Sequence, residues 1–124
     1  MAKARILIVE DEGIVALDIQ NRLINSGYSV CGITSSGEEA VQKTKTERPD
    51  LVLMDIKLAG KLDGLEAARQ ICADAGSRVP VLYISAYSDK KIPGPLRQIF
   101  KPFSDEELEE AVEAILNNTQ DNLR

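Results

Sequence analysis

At 124 residues, with 44% hydrophobic side chains, the chain has the size and apolar content of one folded domain around a single core. Its 20 acidic against 15 basic residues give a formal net charge of -5, which excludes general affinity for nucleic acid phosphates, since that needs a basic face. No apolar stretch approaches the roughly 20 residues that span a bilayer, and Met1-Ala2-Lys3-Ala4-Arg5 runs into a strand-like segment without the form of a signal peptide, so a cytoplasmic protein is expected.

The first predicted strand is Arg5 to Val9. A helix follows from Gly13 to Ser26, with Val15, Ile19 and Leu23 at i+4 spacing and Ile14 and Leu17 beside them. Ser26-Gly27 ends it. Tyr28 to Ile33 reads as a second strand. Ser35-Ser36-Gly37-Glu38-Glu39 offers two overlapping capping spacings for a helix that reaches Glu47, before Pro49. Asp50 to Asp55 is a third strand, and Asp63-Gly64 starts a helix over Leu65 to Ala75. Pro80 to Ser85 is a fourth strand and Gln98 to Phe100 a short fifth. Ser104-Asp105-Glu106-Glu107 is a capping box that opens a last helix with Leu108, Val112 and Ile115 on one face. Cys31 and Cys72, the two cysteines, are expected to be buried, reduced thiols, and the chain has no histidine.

Strands alternate with helices, and the strands are apolar runs with little polar alternation, which suits parallel strands buried on both faces. The expected fold is a flavodoxin-like, doubly wound α/β sheet of five strands in the order 2-1-3-4-5. It would form one domain over residues 1–124, with an ordered core of about 4–117. Ligand sites in such sheets lie at the carboxyl ends of the strands. Glu10, Asp11, Asp55, Ser85 and Lys101 all fall there.

Crowded carboxylates repel unless a cation sits among them, and magnesium prefers hard oxygen ligands while keeping several waters. Asp11 and Asp55 are candidate direct ligands, with the Lys57 backbone carbonyl completing the protein's share and Glu10 acting through a water. Phosphoryl transfer to a carboxylate needs mostly positioning and charge neutralisation. Lys101 and the Ser85 hydroxyl are placed to contribute both, beside Asp55 as nucleophile.

This set closely resembles the receiver domain of two-component response regulators. The resemblance is carried by Ile6-Leu7-Ile8-Val9-Glu10-Asp11, Leu53-Met54-Asp55-Ile56-Lys57-Leu58, Asp63-Gly64-Leu65-Glu66-Ala67-Ala68, Ser85-Ala86 and Lys101-Pro102-Phe103. It implies Mg2+-dependent phosphorylation of Asp55 by a sensor histidine kinase or a histidine phosphotransfer protein. The family's acidic pair maps to Glu10 and Asp11, its switch hydroxyl to Ser85 and its lysine to Lys101.

Three departures from the family stand out. The loop after Asp55 has Ala59 where many receivers have proline, and is one residue longer before Asp63-Gly64. Only 16 positions separate Ser85 from Lys101, and Pro93-Gly94-Pro95 opposes a regular helix there. The fourth helix is therefore expected to be missing or reduced to about one turn within Ser88 to Ile92. This resembles a subgroup of stand-alone receivers with a Phe-Ala-Thr-Gly-Tyr-like motif, echoed by Tyr83-Ile84-Ser85-Ala86-Tyr87. Finally, Gln98 stands where most receivers carry a switch aromatic. Tyr87 is the candidate replacement, and Ala86, Tyr87 and Lys57 are candidate tuning positions around the phosphate.

The expectation is a phospho-switch, with an unidentified output protein reading a surface that includes residues 86–96, as a monomer or weak homodimer. A pseudo-receiver binding module that phosphorylation does not regulate is the alternative. A haloacid-dehalogenase-type phosphatase is disfavoured by Lys57, which occupies the position of that family's second aspartate.

Overall fold

A computed structural model describes residues 4–58, 63–73, 79–86 and 97–122. Its elements are β1 (Arg5–Val9), α1 (Gly13–Asn25), β2 (Ser29–Thr34), α2 (Gly37–Glu47), β3 (Leu51–Asp55), α3 (Gly64–Ala73), β4 (Val81–Ala86), β5 (Arg97–Lys101) and α4 (Asp105–Asn122). The five strands form one parallel sheet in the order β2-β1-β3-β4-β5, the flavodoxin-like topology. The expected fourth-helix remnant at Ser88 to Ile92, together with Tyr87 and Ala59, lies outside the described residues.

Side chains alternate across a strand, so each apolar run feeds two cores. Ile6, Ile8, Leu51, Leu53, Leu82 and Ile84 point to one face. There they pack with Ala16, Ile19 and Leu23 of α1 and with Leu108, Val112 and Ile115 of α4. Leu7, Val9, Val52, Met54 and Tyr83 point to the other, against Ala40 of α2 and Ala67, Ala68 and Ile71 of α3. Burying each Leu or Ile side chain contributes roughly 1.5–3 kcal/mol, and β3 is buried along its whole length. The chain can therefore place a carboxylate at the end of β3 on a rigid support.

Ile14 and Leu17, beside the predicted stripe of α1, are exposed, at 86% and 56%, because α1 turns Ala16, Ile19 and Leu23 to the sheet. The expectation of buried cysteines is corrected. Cys72 is exposed on α3 and Cys31 only half-buried, and both are unpaired.

The helix starts follow local chemistry. Ser36 caps α2 by accepting from the Glu39 amide at 3.2 Å. Ser104 and Glu107 form the reciprocal capping box of α4, each amide bonded to the other's side chain at 3.0 Å. Asp63 Oδ1 accepts from the Glu66 amide at 2.8 Å and so caps α3.

Gly64 brings α3 directly behind β3. Its amide donates to the Ile56 carbonyl at 2.9 Å. A Cβ on Gly64 would lie 2.1 Å from the Asp55 carbonyl oxygen and 2.8 Å from the Ile56 Cα. Both obstacles are backbone, so no rotamer change relieves the clash. Gly64→Ala is expected to lower stability by about 2–3 kcal/mol in urea denaturation. An unchanged midpoint would contradict this packing.

Candidate functional site

Three carboxylates meet at the carboxyl edge of the sheet. Asp55 is the last residue of β3, and Glu10 and Asp11 follow β1. Each of the three offers an oxygen within 4.8 Å of the others. Glu10 and Asp55 are buried, whereas Asp11 is exposed at the rim. Parallel pairing of Val9 with Met54 explains the meeting, since both strands then end at the same height.

Lys101 arrives from the end of β5. Its Nζ lies 3.3 Å from Glu10 Oε2 and 3.3 Å from Asp55 Oδ2. The backbone supplies further donors. The Lys57 amide donates to Asp55 Oδ1 at 3.0 Å, and the Glu12 amide to Glu10 Oε1 at 3.2 Å. These bonds aim the carboxylates inward and partly neutralise them.

Burial pushes the Glu10 carboxyl up to about 7, helped by the neighbouring Asp55. Burial works against the Lys101 ammonium, but Asp55 and Glu10 outweigh it and hold the group above its usual range. Two buried acids and one ammonium leave the cluster short of positive charge. Three hard carboxylate oxygens within reach of one point, with an exposed rim ligand, fit a magnesium ion.

Ser85 is the penultimate residue of β4 and is buried. Gln98 of β5 donates from Nε2 to the Ser85 Oγ at 2.6 Å. Ala86 ends β4 and pairs with Lys101. The structure thus gathers Glu10, Asp11 and Asp55 with Lys101, and sets Ser85 at the end of the adjacent strand. Tyr87 falls outside the described residues.

Sequence reasoning missed two supports. One is the Gln98–Ser85 bond. The other is Arg22, which donates from Nη1 to the Phe103 carbonyl at 2.7 Å and lies 5.2 Å from that ring's centroid. Arg22 also pairs with Asp18 and Asp105, tying α1 to the turn just past Lys101. Its place on an otherwise ordinary helix gave no signal in the sequence.

A family model for the response regulator receiver domain matches residues 6–113. The chain belongs to this family. The transcriptional regulatory protein PdtaR of Mycobacterium tuberculosis is 34% identical over 116 residues, covering 88% of this chain and 55% of that protein. A receiver domain of the sensor histidine kinase PA1611 from Pseudomonas aeruginosa superposes with a TM-score of 0.83 at 30% identity, covering 94% of this chain and 99% of that one. That structure has a magnesium ion coordinated in its active-site cleft. The anti-anti-sigma factor PhyR from Bartonella quintana gives a TM-score of 0.85 at 28% identity, covering 98% of this chain and 51% of that one. The chain spans about half the length of the first curated relatives it matches. Among the described residues, no helix is long and apolar enough to cross a membrane.

The raised Glu10 carboxyl has a pH signature. The folded, metal-free protein keeps a proton up to about pH 7 that the unfolded chain gives up near the ordinary value of 4.5. The folded state binds more protons between those limits, so this group's contribution to stability is lost as pH rises through them. Glu10→Gln cannot ionise and escapes that loss. In chelator, its stability relative to wild type is expected to be level near pH 4 and to rise to an advantage of ~2 kcal/mol by pH 8 in urea denaturation. A pH-independent difference would contradict the assignment.

Proposed function

We propose that this receiver domain works in a His-Asp phosphorelay, accepting a phosphoryl group on Asp55 from a sensor histidine kinase or a histidine phosphotransfer protein. The observation that carries this is the Lys101 ammonium, 3.3 Å from both buried acids, Asp55 and Glu10, at a sheet edge where Asp11 adds a third carboxylate. A structural ion pair needs one acid. Three acids around one lysine, at the strand ends where this fold places its ligands, suit a site that takes up a divalent cation and a phosphoryl group.

Asp11, Asp55 and the Lys57 carbonyl would hold Mg2+, with Glu10 reaching it through a water. When bound, the ion supplies charge neutralisation for the carboxylates and the phosphoryl oxygens. An Asp55 carboxylate oxygen forms the new bond to phosphorus as the phosphorus–nitrogen bond of the donor phosphohistidine breaks. The imidazole leaves with the electron pair. Lys57 fixes the Asp55 carboxylate through the hydrogen bond that its backbone N–H donates to Oδ1. Lys101 moves its charge from the carboxylates to the phosphoryl oxygens, and the Ser85 hydroxyl donates to another of them.

The phosphoryl group carries about -1.5 to -2 where the free Asp55 carboxylate carries a single negative charge, and this extra charge, with its new acceptor oxygens, biases the end of β4 and β5. We infer that the whole chain acts as a single receiver unit in the cytoplasm, and that its output is a protein partner that distinguishes the two states. The name of one structural neighbour supports that direction: it is an anti-anti-sigma factor.

Incubation with acetyl phosphate and magnesium is expected to add one phosphoryl mass per chain, seen by intact mass spectrometry. The gain should vanish in Asp55→Asn and in excess chelator. No gain in the wild type would favour a pseudo-receiver, and continuous turnover of a general phosphatase substrate would favour an enzyme.

A further inference from the structure

Gln98 is a half-buried polar side chain on β5, an edge strand of the sheet. It lies in the sheet beside Tyr83, with which it is in register, while Ser85 is in register with Phe100. Ile84 and Ile99 belong to the face packed by α1 and α4. Alternation therefore puts Ser85 and Gln98 together on the opposite face, the one on which Tyr83 packs with α3. The Gln98 side chain reaches two positions forward along the sheet to make its 2.6 Å bond to Ser85. Asparagine or alanine would not span that offset.

The direction of the bond matters. A serine hydroxyl has one proton to donate and two lone pairs that accept. Gln98 donates into the oxygen, so it fixes the hydroxyl without consuming its proton. Ser85 is buried, with 1% of its surface exposed, so water cannot compete freely for that proton. The hydroxyl is held beside the strand that carries Asp55, oxygen satisfied and proton available, since Ile84 pairs directly with Asp55.

We infer that Gln98 is a positioning residue of the switch. Its carboxamide, the Ser85 hydroxyl and a phosphoryl oxygen on Asp55 form one hydrogen-bonded relay, which carries the occupancy of Asp55 into β5. This rests on the proposed phosphoacceptor role of Asp55. When Ser85 donates to an anionic phosphoryl oxygen, its own oxygen becomes a stronger acceptor, so the Gln98 bond strengthens with it. Ser85 then draws Gln98 along as it moves toward the phosphoryl group.

The test is NMR of the Gln98 side-chain amide in the 15N-labelled protein, before and after beryllofluoride with magnesium, the bound fluoride signal reporting occupancy of Asp55. In loaded wild type the hydrogen-bonded Gln98 amide proton is expected to move downfield. The response should be lost in Ser85→Ala and restored in Ser85→Thr. Gln98→Met keeps the chain length without the donor. It should still load, while the loading shift of the Ile99 backbone amide falls at least two-fold, the part that Lys101 imposes directly remaining. A merely structural bond would leave the loading response of the Gln98 amide independent of Ser85.

An unchanged or upfield-shifted Gln98 amide in loaded wild type, or a full response in Ser85→Ala, overturns the relay and leaves the role of Asp55 intact. Absence of bound fluoride overturns the role of Asp55 and the relay together. Should Gln98→Met fail to fold, the comparison of wild type with Ser85→Ala and Ser85→Thr decides alone.

Discussion

The Lys101 ammonium lies 3.3 Å from carboxylate oxygens of both Glu10 and Asp55, and two buried acids at one sheet edge depend on such a counter-charge. Removing charges from water is costly, and the cost is tolerable only where partners and hydrogen bonds compensate. Here the compensation is incomplete. Burial holds the Glu10 carboxyl near 7, even with Lys101 beside it. A resting site of this kind is charge-hungry, and that property links its architecture to the proposed chemistry. Under the proposed function it would attract a divalent cation, and a cation so held would prepare the same carboxylates for an anionic phosphoryl group.

Everything around that cluster serves to hold its members still. β3 is buried along its whole length, so Asp55 has no slack. Gly64 lets α3 press against the Asp55 peptide from behind. Arg22 grips the Phe103 carbonyl and fixes the turn that follows Lys101. On the β4 side, Gln98 steadies Ser85. The rigid parts come from the strands and the first helix. The parts proposed to signal, Ser85, Gln98 and β5, lie on the β4 side of Asp55, where a polar bond stands beside the apolar packing of Ile99.

Much of this was legible in the sequence for a physical reason. Buried parallel strands are written as apolar runs, and Ile6-Leu7-Ile8-Val9 and Leu51-Val52-Leu53-Met54 each end at an acid. The strand order then brings those ends together without further information. The Ser104–Glu107 capping box was equally readable, because it depends on neighbours in sequence. What could not be read depends on register or on approach between elements. Periodicity gives α1 an apolar stripe but not the angle at which it meets the sheet, so it does not reveal that Ile14 and Leu17 beside that stripe stay exposed. Gln98 registered only as a missing aromatic, because its bond to Ser85 follows from the alignment of β4 with β5. Arg22 reaches across 81 positions of sequence, which no local pattern announces.

The account turns on Lys101 acting as the resting cation of a site built for another. Magnesium binding followed by isothermal titration calorimetry, in wild type and in Lys101→Met, tests this most directly. With the competing ammonium removed, the account predicts tighter magnesium binding in the variant, by roughly ten-fold or more at neutral pH. Equal or weaker binding in a folded Lys101→Met protein would contradict it.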